Sequence, residues 1–71
     1  MSGMVIKVRL VTGGKVVEVN GVAEISAREL AEKLGILLSE NLLLRNNEVL
    51  TEDDLVRDGD EIIVFTVKSG G

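Results

Sequence analysis

At 71 residues the chain has room for one domain, and a domain of that size buries only about 60% of the surface its unfolded form exposes. Hydrophobic residues at 45% and charged residues at 28% suit a soluble globular domain and not a disordered one. The lack of cysteine and histidine removes disulfides, thiol nucleophiles and most metal and triad chemistry, and a net charge of −4 argues against a nucleic-acid partner.

The opening "MSGMVIKV" lacks the layout of a signal peptide, and no apolar stretch reaches the roughly 20 residues that span a bilayer. No membrane is therefore expected as a partner, and the cytoplasm is the expected location. The second methionine, Met4, marks residues 1–3 as a disordered extension outside the fold. From Val5 the sequence alternates, with Ile6, Val8 and Leu10 on one face and Lys7 and Arg9 on the other, which predicts a half-buried strand. Gly13–Gly14 then precede "KVVEVN", the pattern of a β-hairpin whose turn needs positive φ. Val17 and Val19 are expected to face inward.

"ISARELAEKLG" carries the clearest helix signal. Ser26 is the N-cap, Glu29 completes a capping box, and Ile25 and Leu30 are spaced as a hydrophobic staple. Ala27, Leu30, Ala31 and Leu34 form one apolar stripe, and Gly35 closes the helix. Leu42–Arg45 reads as a strand, Asn46–Asn47 as a turn and Glu48–Leu50 as a short strand. "TEDDLV" reads as one helical turn capped by Thr51, with Leu55 filling the core. After the Asp58–Gly59 turn, "EIIVFTV" is a run of strand formers that suits a central position. The resulting order, β-β-α-β-β-β, is that of an α+β, β-grasp (ubiquitin-like) fold. A mixed sheet of four to five strands carries one helix across one face, and the first and last strands are parallel at its centre. The domain is expected over residues 4–69, with residues 70–71 as a flexible tail.

Two motifs fail on inspection. "TGGK" at Thr12–Lys15 lacks the upstream glycine and the following Ser or Thr of a phosphate loop. "DLVRDGDE" places Val56 and Phe65 where a calcium loop needs oxygen ligands. No metal or bound cofactor is expected. Strand parity is more informative. With Glu61 facing solvent, Ile63, Phe65 and Val67 share its face, while Ile62, Val64 and Thr66 point to the helix. Val11, Val49, Ile63 and Phe65 then form an exposed apolar patch rimmed by charges, and together with Arg9, which shares the outer face, they are the expected partner-binding patch.

"VFTVKSGG" closes the chain. Glycines have no Cβ, so a Gly70–Gly71 tail can thread a narrow channel and accept any backbone angle it imposes. "DGDEIIVFTVKSGG" resembles the end of the ubiquitin-like sulfur carriers, namely the thiamine-pathway carrier, the small subunit of molybdopterin synthase and the archaeal small modifiers. The likeness runs from Val5 onward, and its specific part is Asp58–Glu61, Phe65 and Gly70–Gly71. The resemblance implies a co-substrate and not an enzyme. An E1-like activating enzyme would use ATP to adenylate the Gly71 carboxylate, and a sulfur donor would convert it to a thiocarboxylate for a sulfur-accepting biosynthetic enzyme. It also implies that Phe65 lies on the face that docks the enzyme. Lys68–Ser69 departs from the family in being more polar than the short apolar residues common there. Two other readings stand beside this one. A protein modifier would join Gly71 to lysines of target proteins, with Lys7, Lys15, Lys33 and Lys68 as sites for chains. A non-catalytic binding module is suggested by "VRLVTGGKVVEV", "ELAEKLG" and "DGDEI", which resemble the TGS domain; that domain needs no Gly-Gly end.

Overall fold

The computed structural model describes residues 3–67. Strand β1 (Val5–Leu10) pairs antiparallel with β2 (Lys15–Asn20), Val8 lying opposite Val17. The loop between them spans Val11–Gly14, and Gly13 and Gly14 have φ of 91° and 63°, values that a side chain at either position would strain. Val11 belongs to this turn and not to the strand, although its amide still donates to the Val64 carbonyl at 3.1 Å.

A three-residue strand, β3 (Glu24–Ser26), precedes helix α1 (Ala27–Leu34). The Ser26 hydroxyl accepts the Glu29 amide at 3.1 Å and donates to the Glu29 carboxylate at 3.2 Å. The cap is thus reciprocal, but the carboxylate meets the hydroxyl and not the Ser26 amide. Two further helix-start amides, Ala27 and Arg28, donate to the Asp54 and Glu52 carbonyls at 2.9 and 3.2 Å. The 52–54 turn therefore satisfies donors that a helix terminus leaves open. Gly35, at φ 72°, ends the helix, and its amide donates to the Glu32 carbonyl.

Strands β4 (Asn41–Arg45) and β5 (Glu48–Val49) form a two-residue hairpin. Asn46 and Asn47 both have positive φ, 53° and 67°, matching the right-handed twist of the strands they join. Strand β6 is Leu55–Arg57 and β7 is Glu61–Thr66. The main sheet has the order β2-β1-β7-β4-β5, with β1 and β7 parallel at its centre and every other pair antiparallel. Beside it β3 and β6 form a separate ladder, with Ile25 opposite Val56 and Arg57 bound to Glu24 at 2.8 Å.

The sequence reading errs at "TEDDLV". Residues 51–54 make a turn, with the Asp54 carboxylate accepting the Thr51 amide at 2.7 Å, and no helical turn forms. The chain then enters β6, whose alternation buries Val56 fully and leaves Leu55 41% exposed. Val56, and not Leu55, fills the core because it lies directly opposite the buried Ile25. The expected element order also lacks β3 and β6. The core sits between the sheet and the helix: Ile6, Val8, Ile62, Val64 and Leu43 come from the inner face, Ala27 and Leu30 from α1, and Leu50, Ile25 and Val56 close the sides.

Candidate functional site

The outer face of the sheet carries what the core does not use. Along β7 the side chains alternate, Ile62 and Val64 buried, Ile63 half-buried, and Phe65 and Val67 exposed by 42% and 45%. Strand β1 alternates in step, so Lys7 and Arg9 lie outward. Leu43 faces the core in β4, which puts Leu42 and Leu44 on the outer side.

The register converts these positions into a surface. Val16, Arg9, Ile63, Leu44 and Val49 lie directly across from one another, one from each strand, in a single row over the whole sheet. In the neighbouring row Phe65 lies opposite Leu42. Opposed side chains are only about 4.5–5.5 Å apart at Cβ, so these residues form one patch. Val11 is exposed in the hairpin loop and bonded to β7 beside Phe65, although it is not a strand residue. The structure therefore brings Phe65, Ile63, Val49 and Arg9 onto one face and seats Val11 at its border. Arg9 lies within the patch, between Val16 and Ile63. Leu42, Leu44 and Val16 are patch members that the sequence reading missed. The triple leucine of β4 held the signal, since only one parity leaves a core residue at Leu43.

The departure of β7 is pinned. The Val67 amide donates to the Glu40 carbonyl at 2.8 Å, and the Thr66 hydroxyl donates to the Asn41 side-chain oxygen at 3.1 Å. Asn41 in turn donates from Nδ2 to the Leu37 carbonyl at 2.9 Å. Gly70 and Gly71, the expected reactive tail, lie outside the described residues.

Elsewhere several polar side chains are engaged by the fold. A depression of about 320 Å³ is lined by Val5, Lys7, Gly59, Asp60 and Glu61. The Asp60 carboxylate there accepts from the Arg45 guanidinium at 3.1 Å and the Arg57 amide at 2.9 Å. The exposed Arg28 guanidinium holds its proton more firmly than usual, through its hydrogen bond to Glu52 and then that residue's charge. Among the described residues no three His, Cys, Asp or Glu side chains converge as a metal site, and no helix is long and apolar enough to cross a membrane.

A five-stranded mixed sheet with a central parallel pair, one helix on its inner face and a patch on its outer face define a ubiquitin-like protein of the β-grasp class. Solved structures agree on the fold. The ubiquitin of Caldiarchaeum subterraneum superposes with a TM-score of 0.69 at 19% identity, covering 99% of this chain and 100% of its own. A computationally designed protein based on human erythrocytic ubiquitin gives 0.70 at 22% identity, over 96% of both chains. A chain in the crystal structure of ATBAG1 in complex with HSP70 gives 0.70 at 15% identity, and this chain covers 41% of its length while 93% of this chain is matched. No curated protein matches the sequence. The ThiS family model matches residues 7–71, and the chain belongs to that family of ubiquitin-like sulfur carriers.

Proposed function

We propose that the protein carries sulfur on its C-terminal carbonyl. The observation that carries this reading is the family match, which runs through Gly70 and Gly71. An E1-like enzyme docks on the outer sheet face and joins the Gly71 carboxylate to AMP from ATP, releasing pyrophosphate. A carboxylate is a poor electrophile, and the mixed anhydride gives its carbonyl a good leaving group. Hydrosulfide delivered by the donor attacks that carbonyl: the C–S bond forms as the C–O bond to AMP breaks, and loss of a proton leaves a thiocarboxylate, which a biosynthetic enzyme then consumes. The carrier needs no thiol of its own, in keeping with a sequence that has no cysteine.

The scaffold contributes position. Phe65 and Ile63 lie on the strand that leads to the tail, so a partner covering the outer face also holds β7 where it departs. The hydrogen bonds at Thr66 and Val67 fix that departure. Binding to the folded body can then be spent on placing a side-chain-free end beside ATP.

The test is intact mass after incubation with an activating enzyme, ATP and a sulfur donor. Replacement of one oxygen by sulfur adds about 16 Da, and deletion of Gly71 is expected to abolish it. Recovery of Gly71 joined to substrate lysines, with no thiocarboxylate formed, would replace this reading with protein modification.

A further inference from the structure

We infer that the activating enzyme meets the outer face with an acidic side chain set inside an apolar contact surface, and that this acid pairs with Arg9. The inference rests on the carrier reading above and names the chemistry of its partner.

It comes from comparing two adjacent rows of the sheet. In one, Lys7 lies directly between Glu18 on β2 and Glu61 on β7, so its charge is matched from both sides. In the next, Arg9 lies between Val16 and Ile63, and the row continues through Leu44 to Val49. Arg9 is the one charged residue in a line of five. The other three arginines each hold a carboxylate: Arg28 with Glu52, Arg45 with Asp60 and Arg57 with Glu24. Among the described residues no ion pair or side-chain hydrogen bond involves Arg9. The nearest acids in register, Glu18 and Glu61, are diagonal to it and stand opposite Lys7.

An exposed guanidinium costs nothing while water covers it. A partner that removes water from Val16, Ile63 and Leu44 must also remove it from Arg9, which stands between them. Arginine cannot shed its charge, so a wholly apolar partner would bury an unpaired cation. A carboxylate aimed at that point meets the planar fork with two hydrogen bonds and converts the penalty into recognition. The same arrangement rejects partners that match the patch in shape and lack the acid.

The experiment uses the full chain and the activating enzyme that adenylates it, with pyrophosphate release as the readout. Arg9→Glu is expected to raise the KM for the carrier by about 30-fold or more with kcat little changed, as loss of a desolvated charge pair does. Lys7→Glu, in the adjacent row, is expected to stay within about threefold because a rim charge contributes little to bound-state affinity. Arg9→Gln, which keeps the length and removes the charge, is expected to fall between them and to lose the wild-type salt dependence of KM. Thermal midpoints of the three variants check that the fold is intact. Wild-type adenylation with an unchanged KM for Arg9→Glu, or equal losses for Arg9→Glu and Lys7→Glu, would overturn the inference alone. Failure of every ThiS-type activating enzyme to adenylate the wild-type chain would overturn the carrier reading and, with it, this inference.

Discussion

Asp58 shows how much a single turn residue does in this protein. Its carboxylate accepts the Val5 amide at 2.8 Å, while the next residue, Gly59, donates its own amide to the Val5 carbonyl at 2.9 Å. Gly59 can do so because it sits at φ 91°. Two residues on, the Asp60 carbonyl accepts the Lys7 amide, and the Asp60 carboxylate collects Arg45 and the Arg57 amide. The Asp58–Glu61 segment, part of the family likeness, thus ties the start of β1 to β6 and β7. Asp58→Ala leaves the Val5 amide without its acceptor. The expected cost is about 1–2 kcal/mol, read as a lower urea midpoint with an unchanged m-value. That loss is structural, so the KM of the folded fraction for the activating enzyme should not move.

At the scale of elements, legibility followed distance along the chain. Helix α1 was readable because its signals are local: Ser26 and Glu29, Ile25 and Leu30, and Gly35 all lie within a few residues of what they control. The hairpin turns were readable for the same reason, since positive φ at Gly13, Gly14, Asn46 and Asn47 is a demand on those residues themselves. The β3–β6 ladder was not. Each strand is three residues long, and the pairing joins Ile25 to Val56, so neither strand carries a pattern that reveals its partner. Without it, "TEDDLV" reads as a helical turn that points Leu55 into the core, whereas the ladder's alternation buries Val56 instead. The two positions separate cleanly by experiment. Val56→Ala is expected to destabilise the fold by about 2 kcal/mol, through lost burial and an incompletely closed cavity. Leu55→Ala, at an exposed position, is expected to stay within about 0.5 kcal/mol. Equal effects by chemical denaturation would contradict the ladder.

For the whole molecule, the outer face was half legible. Parity within β7 was enough to place Ile63 and Phe65 outward, whereas Leu42, Leu44 and the central position of Arg9 depend on registers between strands far apart in sequence. The remaining large exposed apolar residues, Met4, Leu37 and Leu55, are spread over the start of β1, the loop after α1 and β6. Among the described residues, one broad apolar surface therefore lies beside the strand that leads to the tail. In the carrier reading, the activating and the sulfur-accepting enzymes must use it in turn. Phe65→Ala is expected to raise the KM of adenylation by about 10-fold or more, as truncation of a buried aromatic anchor does. Because Phe65 is already 42% exposed in the free protein, its Tm should fall by no more than about 8 °C. The same variant should lower affinity for the accepting enzyme, and wild-type carrier bound to one enzyme should be protected from the other in a competition measurement.

The parallel pairing of β1 with β7 has a consequence for how the protein is made. The central seam joins an early strand to the last one, so the sheet cannot close until synthesis has passed Thr66. Contacts of such long sequence separation form late in folding. A copy that stops before β7 lacks Ile63 and Phe65, and its β2–β1 and β4–β5 pairs have no strand between them to make one face of Arg9 and Leu44. In the carrier reading, a copy that presents the complete surface to an enzyme has therefore been translated through Thr66.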